Sequence, residues 1–298
     1  MAYKIGFVGL GLMGLGLARN ILAAGHTVRG FDLSDDALDA FRDAGGVIAS
    51  SPADAASGAD FVMTVLPEPR DVELAVVLAE DSIIHGLPAG GMVVDFSTID
   101  PATTRRVGEA LAGRGFRMIE CKMAGLPTDA AAGELTLMAG GADADLAEAA
   151  PVLDAVAREI IPCGPLGNGS AMKLVNNMLA ASIIMLDGEA LVAGRKVGLE
   201  IDVMLRVFRS TFANNDALAT VFEEKVFKRD FEPGFFTRLA LKDVRLATQM
   251  ASESGAITPL GAVAGQMLAA ATYRGFATEH VTAVVKLWEE VAGLELTH

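Results

Sequence analysis

The chain is poor in cysteine and has no excess of basic residues, and each shortage excludes a class of protein. Only Cys121 and Cys163 occur among 298 residues, and neither belongs to a CxxC pair. The sequence therefore predicts neither a disulfide framework nor a cysteine-rich metal site. Lys and Arg number 24 against 38 Asp and Glu, a formal net charge of −14. Because phosphate backbones and anionic membranes attract basic surfaces, we expect no nucleic-acid partner and no membrane partner.

The chain also lacks a long hydrophobic run without polar residues, although 52% of its residues are hydrophobic. The most apolar long stretch, 174–194, is interrupted by Asn176, Asn177, Asp187 and Glu189. That stretch is too polar for a helix exposed to lipid. No secretory cleavage pattern follows the first residues, and the four histidines show no metal-ligand spacing. These absences predict a soluble, cytoplasmic protein that binds no metal.

The first half of the chain alternates between strand and helix patterns. The predicted strands are Tyr3–Val8, Thr27–Phe31, Phe61–Leu66, Met92–Phe96, Phe116–Glu120, Leu135–Met138 and Ile160–Pro162. The predicted helices between them are Leu12–Ala24, a helix capped by Ser34 that runs to Ala44, Thr103–Gly113 and Asp143–Ala157. This alternation is typical of a doubly wound parallel sheet, the Rossmann architecture.

The pattern changes after about Gly164. One long helix is predicted from Ser170 to about Val197, and further helices near 202–212, 215–227, 236–254, 259–273 and 279–291. No strand is predicted there. We therefore expect an α/β domain over 1–164 and an all-α domain over 165–298, joined by the long helix.

A GxGxxG motif follows the first predicted strand and opens the first predicted helix. In Gly9-Leu10-Gly11-Leu12-Met13-Gly14, the first glycine allows the tight turn, and the second lets the backbone approach a pyrophosphate. The third lets helix and strand pack closely. The helix N-terminus then offers N–H groups and a positive dipole end to an anion. The motif predicts a dinucleotide site that includes Leu12 and Met13.

An acidic residue ends the second predicted strand. Asp32 lies 18 residues after Gly14, where a carboxylate accepts hydrogen bonds from adenosine-ribose hydroxyls and repels a 2′-phosphate. The alternative is a glycine turn followed by a surface aspartate. The combination of strand, motif and acid favours NAD as the cofactor.

Two further motifs stand at the carboxyl ends of predicted strands, where doubly wound sheets bind ligands. Leu66 and Pro67 end one strand, and Ser97 and Thr98 follow another. As alternatives, Pro67 only terminates its strand, and Ser97 or Thr98 only caps the helix that follows Pro101.

The long helix and the second domain each carry a lysine of interest. Lys173 and Asn177 are four residues apart, so they share one helix face among apolar neighbours. Lys173 is either a surface lysine with a buried stem or a partly desolvated amine that exchanges a proton with a substrate hydroxyl. Lys242 and Asp243, which follow Phe236, form a solvated ion pair in the simplest interpretation.

Five motifs in this order resemble the β-hydroxyacid dehydrogenase family over nearly the whole chain. They are IGFVGLGLMG, the Leu-Pro pair, DFSTIDP, the GxGxxxKLVNN stretch at 167–177 and KDVRLA at 242–247. The resemblance implies a Rossmann domain followed by a helical domain. It also implies an NAD-dependent dehydrogenase or reductase of a small anionic β-hydroxy acid or its semialdehyde, with the active site between the domains.

The resemblance also implies roles for individual residues. Lys173 resembles the catalytic acid/base lysine, and Asn177 resembles the asparagine that orients the substrate. The residues that resemble cofactor contacts are Leu66, Pro67, Thr98 and Lys242. Independently of these carried-over roles, we expect substrate contacts from Ser97, Lys122, Ala124, Gly125 and Phe236, together with Lys173 and Asn177.

The chain departs from the family in its substrate loop. The family pattern D-x-P-V-S-G-G is replaced by Glu120-Cys121-Lys122-Met123-Ala124-Gly125-Leu126. Ala124 removes a hydroxyl, Leu126 replaces a glycine, and Lys122 replaces the proline. We expect Lys122, at the carboxyl end of the strand Phe116–Glu120, to supply a cation for an anionic substrate. The alternative is that Lys122 points to solvent and pairs with Glu120 on the same strand face.

Two other functions fit parts of the sequence. An imine reductase shares the architecture but usually replaces the lysine and prefers NADPH, so Lys173 and Asp32 argue against it. A nucleotide-binding reader domain without catalysis is favoured only by the rewritten loop. The many apolar helices further predict a homodimer or homotetramer, associated mainly through the helical domain.

Overall fold

The computed structural model describes residues 2–232 and 234–298, which form two compact units. The first unit ends at Leu174 and the second begins at Val175. The expected α/β and all-α architecture is confirmed: strands occupy the first unit, and helices make up nearly all of the second. The division at 164/165 stays a prediction and lies ten residues before the boundary of the compact units.

One eight-stranded sheet organises the first unit. The strands are β1 Lys4–Val8, β2 Thr27–Phe31, β3 Val47–Ile48, β4 Phe61–Thr64, β5 Met92–Asp95, β6 Arg117–Ala124, β7 Leu135–Gly140 and β8 Ala157–Pro162. Their order across the sheet is β3-β2-β1-β4-β5-β6-β7-β8. Every neighbouring pair is parallel except β6 with β7, which is antiparallel. The predicted doubly wound parallel sheet is thus mostly parallel, and β6 and β7 pair antiparallel because residues 125–134 are too few for the crossover that a parallel connection needs.

Helices cover both faces of this sheet. They are α1 Leu12–Ala23, α2 Asp35–Asp43, α3 Pro52–Ala56, α4 Pro69–Glu73, a π-helical turn Leu74–Leu78, α5 Ile83–Gly86, α6 Pro101–Ala112, α7 Pro127–Ala132 and α8 Asp143–Leu153. Ser34 caps α2 as predicted, accepting a hydrogen bond from the Ala37 N–H. Alternate residues of β4 and β5 enter two separate apolar clusters, one on each face of the sheet. Because β1, β2, β4 and β5 pair in parallel, their carboxyl ends meet at one edge of the sheet.

A helix of 29 residues, α9 Asn168–Lys196, runs through the boundary of the two units. The second unit continues with α10 Ile201–Arg209, a π-helical segment Ala217–Val226, α11 Thr237–Glu253, α12 Pro259–Ala271, a π-type turn Thr272–Phe276, a 3-10 turn Val281–Val284 and α13 Val285–Ala292. The long helix and its successors agree with the predicted segments within a few residues. By length and composition α9 could cross a membrane, but 44% of its most apolar window is buried, and core helices pass the same test.

Candidate active site

In the glycine-rich turn between β1 and α1, backbone packing requires glycine at positions 9 and 14 but not at position 11. Gly9 has a φ of +97°, and a Cβ there would lie 2.2 Å from the Val65 carbonyl oxygen. A Cβ at Gly14 would lie 2.0 Å from the Gly9 carbonyl oxygen. A Cβ at Gly11 would meet nothing within 4 Å, and its φ of −62° suits any residue. Packing therefore explains Gly9 and Gly14, whereas the open space at Gly11 suits the close approach of a ligand.

The start of α1 is open to an anion. Gly11 is the N-cap and provides no side-chain cap, and the first turn contains no acidic residue. Leu12, the first helical residue, is 63% exposed. The N–H groups of the first turn therefore point to accessible space, where a pyrophosphate would satisfy them.

Asp32 fastens this turn to the end of β2. Its Oδ2 accepts a hydrogen bond from the Leu10 N–H at 2.6 Å, and its Oδ1 accepts one from the Ser34 N–H at 2.9 Å. Each carboxylate oxygen has a further lone pair, which suits a ribose hydroxyl. Asp35 and Asp36 follow in the first turn of α2 and add negative charge. The donor and acceptor set fits NAD, and the local charge disfavours a 2′-phosphate.

The loops after β4 and β5 are tied to each other. The Leu66 N–H donates to Ser97 Oγ at 2.9 Å, and the Ser97 N–H donates to Asp95 Oδ1 at 3.1 Å. Asp95 Oδ1 also accepts from Thr64 Oγ1 at 2.7 Å. Pro67 and Thr98 follow in the same two loops, beside the glycine-rich turn at the carboxyl edge of the sheet. The helix-cap alternative for Ser97 and Thr98 is wrong, because Asp100 caps α6.

Lys122 does not lie where the sequence predicted. Strand β6 continues to Ala124, so Lys122 is inside the strand and its side chain is 0% exposed. Its Nζ lies 2.5 Å from Asp95 Oδ2 and 3.5 Å from Glu120 Oε2. The expectation that Lys122 lies at a strand end and binds a substrate anion is therefore wrong, because its ammonium is paired with two buried carboxylates. The solvent-exposed alternative is wrong as well, although the predicted pairing with Glu120 is present.

The rewritten substrate loop is shorter than the sequence suggested. Pairing with β7 places Ala124 in β6, opposite Thr136, and α7 begins at Pro127. Gly125 and Leu126 alone form the turn. Gly125 has a φ of +141°, which favours glycine, and Leu126 is 49% exposed. Ala124 and Gly125 follow Lys122 beyond the carboxyl end of β5, and their contact with a substrate stays a prediction.

The first turn of α9 is held by a carboxylate from β6. Glu120 Oε1 accepts from the N–H groups of Gly167 and Gly169 at 2.6 and 2.9 Å. Its Oε2 accepts from the Ser170 N–H at 3.0 Å and from Ser170 Oγ at 2.5 Å. Glu120 thereby satisfies the donors that a helix start leaves unpaired. Lys173 lies about one turn further along this helix.

In the second unit, Asp243 brings two predicted site residues together. Its Oδ2 accepts from Asn177 Nδ2 at 2.7 Å, and its Oδ1 lies 3.1 Å from Lys242 Nζ. The Lys242 and Asp243 side chains are 14% and 3% exposed, so the expectation of a solvated ion pair is wrong. The helix α11 places both residues toward its buried side. Phe236 is the N-cap of α11 and forms an isolated antiparallel bridge with His280.

Sequence reasoning missed three carboxylates as organising residues. Asp95, Glu120 and Asp243 are all buried and all hold predicted site residues. The available signal was position: Asp95 opens the DFSTIDP motif, and Asp243 is adjacent to Lys242. Over residues 2–232 and 234–298, no group of three or more His, Cys, Asp or Glu side chains is placed to hold a metal ion.

Two family models match the chain, one over each half. Residues 4–164 match the family model for the NAD binding domain of 6-phosphogluconate dehydrogenase. Residues 167–288 match the model described as NAD-binding of NADP-dependent 3-hydroxyisobutyrate dehydrogenase.

Named relatives resemble the chain over nearly its full length. An NAD-dependent L-serine dehydrogenase of Pseudomonas aeruginosa is 35% identical and covers 97% of this chain and 99% of its own. A 3-sulfolactaldehyde reductase of Escherichia coli is 32% identical, with 97% of each chain covered. The solved structure of Mycobacterium tuberculosis 3-hydroxyisobutyrate dehydrogenase with L-serine has a TM-score of 0.89 at 31% identity, covering 96% and 99% of the two chains. The glycine-rich turn, the helical second unit and these relatives together show that the chain belongs to the β-hydroxyacid dehydrogenase family of NAD-dependent oxidoreductases.

Proposed function

We propose that the chain interconverts a small anionic β-hydroxy acid and its semialdehyde or keto form, with NAD as the hydride acceptor and donor. The observation that carries this proposal is the placement of two predicted site residues on helix α9. This helix presents Lys173 and Asn177 on consecutive turns, its start is held by Glu120, and Asn177 is held by Asp243. A rigidly fixed helix keeps an amine and an amide at a constant spacing, as a reaction on one substrate requires.

The chain's residues handle the proton and the orientation of the substrate. In oxidation, Lys173 Nζ accepts the hydroxyl proton as the carbinol carbon loses a hydride, and in reduction it returns that proton to the new alkoxide. The glycine-rich turn and Asp32 would hold NAD, whose nicotinamide would provide the hydride chemistry. Asn177 uses one amide N–H on Asp243, and its second amide N–H donates to the substrate. Its orientation is fixed before the substrate binds, which lowers the entropic cost of alignment.

The choice of a small anion is supported by the chain's relatives and by its own turn after β6. The similar proteins are named for L-serine, 3-sulfolactaldehyde and 3-hydroxyisobutyrate. Ala124 and Leu126 replace a hydroxyl and a glycine of the family pattern. We propose that this chain accordingly takes a substrate that differs from 3-hydroxyisobutyrate in its head group or its length.

A panel of acids tests the proposal. NADH formation is followed at 340 nm with 3-hydroxyisobutyrate, L-serine, L-threonate and hydroxyalkyl sulfonates, and NADH consumption is followed with short ω-semialdehydes. We expect saturable turnover of at least one anionic compound and none of its uncharged alcohol analogue. Tight NADH binding without turnover of any compound would favour a nucleotide-binding reader domain instead.

We propose further that the enzyme acts in the cytoplasm as a homodimer or homotetramer. Support comes from bacterial relatives and from apolar side chains of the second unit that stay exposed, such as Val203, Val207 and Leu199.

A further inference from the structure

A buried cluster of three charged side chains lies beneath the carboxyl edge of the sheet. Asp95, Glu120 and Lys122 are each 0% exposed, and each carboxylate pairs with the same ammonium. Asp95 and Glu120 occupy directly opposed positions on β5 and β6, so their charges would repel strongly without the lysine between them. Buried ions are costly unless they are paired and hydrogen-bonded, so this arrangement calls for an explanation.

The first carboxylate of the cluster, Asp95, anchors the loops that follow β4 and β5, which we name the cofactor-side loops. Asp95 Oδ1 accepts from Thr64 Oγ1 and from the Ser97 N–H, and Ser97 Oγ in turn accepts from the Leu66 N–H. The start of both loops therefore depends on one carboxylate oxygen, Asp95 Oδ1. Lys122 Nζ holds the other oxygen of the same carboxylate, Oδ2, and also donates to the Asp95 carbonyl oxygen at 3.4 Å.

The second carboxylate controls the start of α9. Glu120 accepts three N–H groups and one hydroxyl from this helix start, and Thr104 Oγ1 lies 2.9 Å from Ser170 Oγ. The backbone crowds around this carboxylate, because a Cβ at Gly140 would lie 2.5 Å from Glu120 Oε1 and one at Gly169 would lie 3.1 Å from Glu120 Cδ. Glu120 therefore has little room to move without moving the helix.

We propose that Lys122 is a positioning residue that couples the cofactor-side loops to the start of α9. One ammonium bridges the carboxylate that orders Leu66 and Ser97 and the carboxylate that caps the helix carrying Lys173. A shift of either part relative to the other would break an ion pair in a region without solvent, where such pairs are strong. The expected loss of kcat rests on the proposed function, in which Lys173 transfers a proton. The ion-pair bridge from Asp95 through Lys122 to Glu120 rests only on the observed contacts.

The first test replaces the ammonium with a neutral chain of similar length, Lys122→Met. Breaking a buried ion pair by removing one partner destabilises a fold, so Tm falls. Well below Tm, the folded variant should lose roughly tenfold to a hundredfold in kcat, because small misplacements of a reacting group cost up to about 10²-fold. The NADH Kd should rise, and amide hydrogen exchange over residues 166–174 should become faster.

Ile119→Ala is the matched control for stability. Ile119 is fully buried on the same strand, two residues from Cys121 in the apolar cluster on the opposite face. We expect this variant to lower Tm while it keeps kcat, the NADH Kd and the exchange of residues 166–174 near their original values. A loss of kcat in proportion to Tm in both variants would overturn the proposal.

A charge-matched double variant, Lys122→Met with Asp95→Asn, separates bridging from charge balance and serves also if the single variant fails to fold. It removes one cation and one anion together, and the amide introduced by Asp95→Asn keeps an oxygen for Thr64 and Ser97. If Lys122 bridges the two parts, Tm recovers while kcat stays low and exchange at the helix start stays fast. Recovery of kcat to the original value would show that Lys122 only balances charge, and would overturn the proposal.

These readouts also separate this inference from the proposed function. The NADH Kd and the hydrogen exchange do not depend on what Lys173 does. If Lys173→Ala keeps full turnover, the proposed acid/base role fails, while faster exchange in Lys122→Met still supports the bridge. Unchanged exchange and NADH binding in Lys122→Met would overturn the bridge whatever Lys173 does.

Discussion

At the scale of single residues, we expect Asp32 to set the preference for NAD over NADP. Asp32 directly follows β2, accepts a hydrogen bond from the Leu10 N–H of the glycine-rich turn, and is expected to repel a 2′-phosphate bound beside that turn. Two like charges about 4 Å apart cost between about 1 and 4 kcal/mol near a protein surface. Asp32→Asn keeps an acceptor oxygen for the turn and removes this repulsion. We expect the ratio of kcat/KM for NAD to that for NADP to fall roughly tenfold or more.

The control for this variant is Asp39→Asn, an exposed residue further along α2 whose side chain is 67% exposed. It removes the same charge from the same helix away from the turn. Equal kcat/KM values for NAD and NADP in the unmutated enzyme would contradict this role of Asp32. So would an Asp39→Asn variant whose NAD-to-NADP ratio of kcat/KM falls as far as that of Asp32→Asn.

We expect a second residue, Lys173, to transfer the proton. Lys173→Ala removes the amine without altering the glycine-rich turn, so the NADH Kd should stay the same. A positioned general acid or base contributes about 10²–10⁴-fold, and kcat should fall by that amount. The comparison is Lys196→Ala, which removes an exposed lysine from the last turn of the same helix. Near-normal turnover of Lys173→Ala would identify Lys173 as a surface lysine with a buried stem.

At the level of elements, local chemistry was predictable and long-range pairing was not. The glycine-rich turn and the Ser34 cap follow from residues within a few positions of each other, and both were predicted. The length of β6 depends on pairing with β7, and the cap of α9 comes from Glu120, 47 residues before Gly167. No periodicity in the sequence reports such contacts, so the sequence alone predicts a strand end before Lys122, whereas β6 continues to Ala124. Antiparallel pairing and buried charge clusters therefore required the structure.

The turn between β1 and α1 offers a direct test of whether a ligand or the protein requires each glycine. At Gly11 an added methyl meets open space, so Gly11→Ala should change Tm by only a few degrees. The same methyl should obstruct a pyrophosphate and raise the KM for NAD at least several-fold. Gly14→Ala is the contrasting variant, because its Cβ would clash with the Gly9 carbonyl oxygen and lower Tm sharply. An unchanged KM in Gly11→Ala would place the pyrophosphate elsewhere.

Helix α9 carries a buried acid that makes the second unit sensitive to pH. Burial raises the pKa of Asp187 to about 6, although its hydrogen bond from Asn215 Nδ2 at 2.9 Å opposes the shift. Among the described residues, Asp187 Oδ2 has no hydrogen-bond partner. Because the folded state holds this proton more tightly, the resulting stability is present below the ordinary pKa of 3.8 and is lost as the pH rises through about 6.

Asp187→Asn keeps the acceptor for Asn215 and removes the buried charge. We expect Tm at pH 8 to rise by a few degrees, and the difference from the original protein to shrink toward pH 4. Glu189→Gln changes an exposed carboxylate on the same helix and should leave the pH dependence of Tm unaltered. A lower Tm for Asp187→Asn at pH 8 would mean that the ionised carboxylate is itself stabilising.

For the whole molecule, the apolar surface of the second unit predicts self-association. We name Leu199, Val203 and Val207 the apolar strip: Val203 and Val207 are four residues apart on α10, Leu199 precedes the N-cap Glu200, and the three residues are 47%, 42% and 50% exposed. Val203 and Val207 therefore share one helix face, and exposed apolar side chains grouped in this way are typical of interfaces in oligomers. Light scattering at micromolar concentration should therefore give at least twice the chain mass of 30.9 kDa.

Val203→Glu combined with Val207→Glu buries two charges in that interface and should yield the monomer mass. Val47→Glu, which places the same charge on a 58% exposed valine of β3, should keep the oligomer. A mass near 30.9 kDa for the original protein would contradict self-association, and an oligomer that survives the double change would place the interface on another face.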